Sequence, residues 1–481
     1  MGPDPRARVP PAWGDDPLPL IRRLSRARPV VVLDDDPTGT QTVRDVPVLT
    51  LAGLDGLDRV LRSGVRAAFV LTNSRSLSAA AAANLAGELG ARLAAAAERT
   101  RRRISVVSRS DSTLRGHFPV EVDALTSALG RPDAPILLMP YFGEAGRITV
   151  NDVHYLVRDG VPVPVAETEF ARDATFGYRE SNLRDWVAAR VGEPARPIAS
   201  IPLELIRTGG PEVVASALRA LPPRAVCVAN AIVDRDVEVV AAGVLMAERA
   251  GLPIVARTAA SFVRARAGQR RHPLLAVDEL RAGRGAGLVV VGSHVPGTTR
   301  QLERLLADPP SPLHVVEIEA TLAADPARAG RVVRTAARQI AGAMDEGRTA
   351  VVVTSRIVLP GTRGEDAAAG LERSARVSAA LAGVVAALPE RPAWIVAKGG
   401  ITSSDVATLG LGVSVARVLG QIVAGVPVWR CGAGSRWPGL PLVVFPGNVG
   451  TDDDLRRVVA TLERAARRPR PARIRDRVAR R

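Results

Sequence analysis

The sequence predicts an α/β fold of two domains, each with a mainly parallel sheet flanked by helices, with the site in the interdomain cleft. Three observations support this. Short runs of Val, Ile and Leu alternate with Ala/Arg/Leu-rich helical stretches, as expected for parallel strands buried on both faces. The early runs each end in a polar loop carrying Asp, Ser, Arg or Gly, and open α/β sheets bind ligands at the carboxyl ends of their strands. The pattern stops in an Arg-, Gly- and Pro-rich stretch, 264–287, and restarts after it.

Taken in order, strands are expected at 30–33, 68–71, 104–107 and 136–139. They place a first domain at 29–263, behind a flexible N-terminal segment, 1–28. After the linker 264–287, strands at 288–291, 351–353, 394–397 and 442–445 and a last helix from about 453 to 467 define a second domain, 288–466. The tail 467–481 holds a dense run of arginines with Pro469 and Pro471 and reads as a basic disordered end. No fixed period recurs, which argues against a solenoid.

Composition narrows the function classes. At 481 residues the chain can bury two or three cores. No apolar stretch approaches the roughly 20 residues that span a bilayer. The start Met-Gly-Pro-Asp-Pro-Arg lacks the apolar core of a secretory signal, so a cytoplasmic protein without a membrane partner is expected. Cys227 and Cys431 are the only cysteines, too few for a disulfide framework or a cysteine zinc site. The net charge is +16, but the arginines are spread along the chain and aromatics make up 3%. A stacking platform for nucleic acid is therefore not expected, and an anionic small molecule accounts for local arginines equally well. Oligomeric state is left open, and no metal-ligand set is assigned.

The run Leu33-Asp34-Asp35-Asp36-Pro37-Thr38-Gly39-Thr40 follows the first strand directly. Adjacent carboxylates repel unless a cation, a magnesium-bound phosphate or arginines neutralise them; otherwise the run is a solvated acidic turn. Asp-x-Asp-x-Thr after a strand, with Leu71-Thr72-Asn73 further on, is also similar to the nucleophile motif of haloacid-dehalogenase-type phosphatases. Asp-Asp followed by Thr-Gly is similar to the ribose-phosphate loop of phosphoribosyltransferases. Two cationic loops are expected at the same edge: Thr72-Asn73-Ser74-Arg75-Ser76 and the run from Ser108 through Arg109, Ser110, Asp111 and Ser112 to His117. Guanidinium groups pair with carboxylates bidentately and hydroxyls both donate and accept, which suits a hydroxylated acid. Ser112 and Thr113 could equally begin a helix, and His117 reads as structural.

Lys398 is the single lysine among 65 basic residues, and it stands in Ala-Lys-Gly-Gly-Ile-Thr-Ser-Ser-Asp between a hydrophobic run and an expected helix. A compact ammonium in a glycine-rich strand-to-helix turn suits a phosphate. Gly399 and Gly400 would let backbone approach phosphate oxygens, with Thr402, Ser403 or Ser404 as a helix cap. Gly292 and Gly447 would act similarly on neighbouring strands.

With Gly146-Arg147-Ile148-Thr149, Gly160-Val161-Pro162-Val163 and Glu167-Thr168-Glu169-Phe170-Ala171-Arg172-Asp173, these motifs resemble, in number and order, the four-carbon acid sugar kinase family. The resemblance runs from about Val30 to Leu455. It implies a sugar-acid domain followed by a nucleotide domain without a Walker-type loop, and ATP-dependent phosphorylation, with Mg2+, of a hydroxyl of erythronate, threonate or an oxo-tetronate. By matching motif it implies Asp36, Arg75, Arg109, Ser110, Asp111 and Ser112 as substrate contacts, with Asp35 beside them. Asp35, Asp36 and Asp111 are its candidates for orienting or deprotonating the hydroxyl. It likewise implies Ser293, Lys398, Gly399, Gly400, Ile401, Thr402, Gly447 and Asn448 as nucleotide contacts. Val295 stands where the family often has serine, and Phe445 where it commonly has lysine, so Lys398 is expected to supply the missing charge. Two other readings are a phosphatase with Asp34 as nucleophile and a non-catalytic sugar-acid-binding protein.

Overall fold

The computed structural model describes residues 4–7, 9–192, 195–355 and 367–467. The chain divides into two compact units, Met1–Pro273 with Val413–Pro427, and Leu274–Gly412 with Val428–Arg481.

The first unit contains β1 (Val30–Asp34), β2 (Pro47–Leu49), β3 (Ala67–Leu71), β4 (Ser105–Arg109), β5 (Ile136–Met139), β6 (Arg147–Val150), β7 (Val153–Arg158), β8 (Val161–Pro164), β9 (Ile198–Ile201), β10 (Val226–Ala229) and β11 (Val255–Thr258). The second contains β12 (Leu288–Val291), β13 (Leu313–Ile318), β14 (Thr349–Thr354) and β15 (Ile395–Lys398). The chain then returns to the first unit as β16 (Val415–Val423), before β17 (Val426–Cys431) and β18 (Pro441–Phe445). The strand pattern of the sequence alone places 413–427 within the C-terminal domain; its pairing with β2 puts it in the first unit.

In the first unit the strand order is β16-β2-β3-β1-β4-β11-β5-β10-β9, parallel except for β16, which runs antiparallel to β2. Strands β6, β7 and β8 form a separate antiparallel meander. Every residue of β1, β3, β4, β5, β10 and β11 is buried, which is why β1, β3 and β5 read as nearly unbroken apolar runs rather than as alternation. The helices Ala79–Thr100 and Val120–Ala128 pack together, with Leu89, Leu93, Val122 and Leu125 in one core with Val31 and Val106. The segment expected to be flexible, 1–28, contains the helix Leu18–Ala27. Its Leu18, Ile21 and Leu24 share a buried face against the helix Asp234–Arg249, a burial that offsets the entropy of ordering it.

The second unit has the order β13-β14-β12-β15-β18-β17, with β17 antiparallel to β18 and the rest parallel. Trp394 and Trp429 are fully buried here. The stretch 264–287, expected as linker, holds the end of the buried helix Ala260–Arg266 and the short helix Val277–Leu280. Cys227 and Cys431 are both buried free thiols, and burial pushes each up to about 12. Among the described residues no helix is long and apolar enough to cross a membrane. The tail beyond Arg467 lies outside the described residues.

The returning segment is stitched to the first unit by backbone as well as by β16. Thr50 N donates to Ser414 O at 3.0 Å and Thr50 Oγ1 to Val413 O at 2.7 Å. Gly53 lies so close that an added Cβ would stand 1.9 Å from Ser414 O, a backbone atom that no rotamer change can move. Gly53→Ala should therefore destabilise the protein by about 1–3 kcal/mol in urea unfolding. An unchanged midpoint would contradict this packing.

Candidate functional site

Neighbouring strands bring distant loops together at the carboxyl edge of the first sheet. Asp34, the last residue of β1, is in register with Arg109, the last of β4, and the two form an ion pair at 3.2 Å. The Arg109 guanidinium also reaches Asp35 Oδ1 at 3.4 Å. Arg75, in the turn Ser74–Ser76 after β3, grips Asp35 through Nη2 to Oδ1 at 2.6 Å and Nε to Oδ2 at 3.2 Å, and reaches Asp36 Oδ2 at 3.3 Å. Asp36 caps the turn Pro37–Thr42, its Oδ1 accepting from Thr38 N at 2.8 Å. Four of the sequence-predicted residues, Asp35, Asp36, Arg75 and Arg109, thus meet Asp34 in one cluster.

Burial pushes the Asp34 carboxyl up to about 8, with Asp35 and Asp36 adding to the shift and Arg109 opposing it. Burial also raises Asp35 in spite of Arg75 and Arg109. At Asp36 burial acts in the same direction, but Arg75, Arg109 and the Thr38 hydrogen bonds outweigh it and hold the carboxyl below its usual range. Among the described residues Asp34 Oδ2 is buried without a hydrogen-bond partner, and a Cβ on Gly39 would stand 2.1 Å from Asp34 Oδ1. A carboxylate only 1% exposed and covered by Arg109 and Gly39 does not suit a nucleophile that must meet an incoming phosphate, which argues against the phosphatase reading.

The loop after β4 carries Ser110, Asp111 and Ser112, all close to this edge. Ser110 N donates to Thr258 O at 2.9 Å, and Ser112 O accepts from the His154 ring at 2.8 Å. Asp111 turns toward its own loop, where Oδ2 takes Arg115 Nε at 2.8 Å, Thr113 N at 3.2 Å and the Thr113 hydroxyl. Burial opposes its ionisation, but Arg115 and Arg75 outweigh it and hold Asp111 well below the usual carboxylate range. Arg115 pairs with Asp173 at 3.6 Å, and both Arg115 and Arg147 lie over the Phe170 ring. The Gly-Arg-Ile-Thr and Glu167–Asp173 motifs therefore converge on the Asp111 loop. His117 is buried edge-on to Phe176, a packing role.

Sequence reasoning missed Arg257 and Glu121. Arg257, on β11 beside Ser108, donates to Ser108 Oγ at 2.9 Å and to Glu121 Oε2 at 3.0 Å, while Glu121 Oε1 accepts from Ser74 Oγ at 2.5 Å. This chain of bonds braces the turn that holds Arg75. An arginine inside the apolar run Ile254-Val255-Ala256-Arg257 was the available signal, since a buried charge needs a partner.

In the second unit, β12, β15 and β18 are adjacent and parallel, so the turns after them lie side by side. Gly292 N and Ser293 N both donate to Lys398 O, at 3.2 and 3.3 Å, and Gly399 N donates to Phe445 O at 2.8 Å. Gly399 adopts φ +127°, which L side chains rarely adopt, and begins the helix Gly400–Asp405 without a side-chain cap. Thr402, Ser403 and Ser404 lie inside that helix rather than capping it; Ser403 Oγ donates back to Ala397 O at 2.8 Å. Ile401 is exposed beside them, and Asn448 is exposed in the turn after β18. Thr298 Oγ1 ties the turns together through Ser293 Oγ at 3.1 Å and Gly447 O at 2.9 Å. A Cβ on Gly447 would stand 2.6 Å from Ser293 Oγ, and one on Gly399 3.2 Å from Ser293 Cβ, so both glycines keep open a cradle of backbone and hydroxyl groups.

Lys398 is fully buried and in register with Phe445. Its Nζ donates to Pro446 O at 2.6 Å and lies 3.9 Å from the centroid of the Phe445 ring. Burial lowers its pKa to about 7, with only Asp454 opposing. Among the described residues no group of three or more His, Cys, Asp or Glu side chains converges as a metal site.

Two family models match the chain: a sugar-binding N-terminal domain over residues 30–266 and a nucleotide-binding C-terminal domain over residues 288–455. The D-threonate kinase of Bordetella bronchiseptica is 30% identical over 400 residues, covering 82% of this chain and 85% of that protein. The D-erythronate kinase of Heliobacterium modesticaldum is 29% identical over 194 residues, 40% of each chain. A crystal structure of a Haemophilus influenzae DUF1537 protein shares the fold, with TM-score 0.58, 19% identity, and coverage of 89% of this chain and 98% of that one. The class is that of phosphotransferases acting on a sugar-acid hydroxyl. The chain belongs to the four-carbon acid sugar kinase family.

The raised carboxyl of Asp34 has a stability consequence. Between its ordinary 3.8 and about 8, the folded chain holds a proton that the unfolded chain has released, so stability from this group falls as pH rises. Asp34→Asn cannot titrate and should gain on the wild type by on the order of 1 kcal/mol per pH unit across that window. Urea unfolding at several pH values measures the gap; one that is flat or shrinks with pH contradicts the assignment.

Proposed function

We propose that the chain is an ATP-dependent kinase that phosphorylates a hydroxyl of a four-carbon sugar acid, with erythronate, threonate and 3-oxo-tetronate as candidate substrates. The observation that carries the nucleotide half is the convergence of three glycine turns on adjacent parallel strands, with hydroxyls of Ser293 and Thr402 beside them. Such turns present backbone amides to phosphate oxygens, and ATP brings its Mg2+ as part of the substrate.

In this reading the sugar-acid carboxylate and hydroxyls bind at Arg75, Arg109, Ser110 and Ser112. Asp35 takes the proton of the attacking hydroxyl, because its raised pKa makes it a better acceptor than Asp36 or Asp111, which stay ionised and position the substrate. Catalysis is then mostly positioning and charge neutralisation, as is general for phosphoryl transfer.

Lys398 stands beside Phe445 as its parallel neighbour in register, about 5 Å away at the Cα atoms. In the present arrangement the ammonium holds Pro446 O, and its route to phosphate is through the turn it shapes. This favours an active enzyme over a sensor that has lost a phosphate contact.

A panel of tetronates tested for ATP consumption checks the activity. ADP should form only when one of these acids is present. Phosphate release from sugar phosphates without ATP, or a trapped phospho-aspartate at Asp34, would contradict the kinase. Lys398→Ala should raise KM for ATP about tenfold, a change of ~1.4 kcal/mol, and leave tetronate affinity unchanged. Equal ATP kinetics in that variant would remove the lysine from the nucleotide site.

A further inference from the structure

At the opposite edge of the first sheet, near the amino ends of β1 to β4, lies a solvent-open groove of about 560 Å³. Arg26, Arg44, Arg66 and Arg102 line it, with Asp45 and Gln269. It is separated from the Asp34–Asp36 loop by the length of β1, about 15 Å.

The wall is built rather than loose. The Gln269 side-chain amide accepts from Arg44 N at 2.9 Å and donates to Arg44 O at 2.8 Å, and Arg102 Nη2 donates to Arg26 O at 3.0 Å. Asp45 is fixed by its backbone, N to Val418 O at 2.8 Å and O from Arg417 Nη1 at 3.1 Å. Its carboxylate is largely exposed and 3.9 Å from Arg44 Nε.

Arg66 is half-buried, and its side chain makes no hydrogen bond or ion pair among the described residues. Its Nε is buried without a partner, as are those of Arg102, Arg109 and Arg147. Arg75, Arg109, Arg257 and Arg266 of this unit are each paired with a carboxylate, whereas Arg66 is not. Converging cations with unused buried donors are stabilised by an anion, and guanidinium forks match phosphate oxygens bidentately.

We propose that this groove is a second anion site, separate from the kinase site, for a small molecule carrying a phosphate or pyrophosphate group. Its volume lies within the range of small-ligand sites, about 300–1,000 Å³. The proposal does not rest on the kinase reading.

Isothermal titration of the full chain with inorganic pyrophosphate tests it, using wild type, Arg66→Gln, Arg26→Gln and Lys398→Ala. A binding component should be present in the wild type, weakened about tenfold or more by Arg66→Gln, weakened by Arg26→Gln, and kept by Lys398→Ala. Because the Arg66 side chain holds no partner among the described residues, Arg66→Gln should not lower the Tm of the ligand-free protein, whereas pyrophosphate should raise the Tm of the wild type more than that of the variant. No such component in the wild type, or one that both arginine variants retain at full strength, overturns the proposal. So does one lost only in Lys398→Ala.

Discussion

Three carboxylates in succession at the buried end of a strand persist only where cations meet them, and much of the first unit is arranged by that requirement. Arg109 answers Asp34 because β1 and β4 are in register. Arg75 answers Asp35 and Asp36 because β3 lies on the other side of β1 and its loop folds back over the sheet edge. Arg257, Glu121 and Ser74 then brace Arg75 from below. Two guanidiniums facing three carboxylates leave one negative charge over, and burial pushes up the carboxyl of Asp34, the most deeply covered of the three. The resulting edge presents guanidinium and carboxylate groups at fixed separations, which is what a hydroxylated acid needs for orientation.

The second unit solves a different problem with little charge. Its candidate phosphate site is backbone and hydroxyl, kept open by glycines that cannot be enlarged without striking Ser293. Lys398 is the one ammonium of the chain and does its work from within, gripping the Pro446 carbonyl and stacking on Phe445. An arginine of greater width would not fit between that carbonyl and that ring without displacing the turn, which gives a physical reason for lysine to persist there.

The parallel strands were legible because burial on both faces leaves long apolar runs; β5 and β12 lie at the expected positions, and β1 and β18 differ from them by one residue at an end. The strands β9, β10, β11 and β16 escaped notice because they are short or carry polar residues such as Ser200, Arg257 and Gln421. The return of 413–427 to the first unit was beyond reach, since nothing in an apolar stretch says which sheet edge it will pair with. In the site, loops named by motif were visible, but Arg257 and Glu121 were not, because their role exists only once β11 lies beside β4. The capping role expected of Thr402 to Ser404 failed for a local reason: the helix begins earlier, at Gly400, and takes all three inside.

The central claim is a division of labour, with the acid held by the carboxylate and arginine cluster and the nucleotide by the glycine turns. Separate equilibrium titrations of D-threonate and of a non-hydrolysable ATP analogue into Arg75→Met and Gly447→Ala test it most directly. The account predicts that Arg75→Met loses threonate binding while keeping the nucleotide, and that Gly447→Ala does the reverse. Threonate bound as tightly by Arg75→Met as by wild type, or nucleotide unaffected by Gly447→Ala, would contradict it.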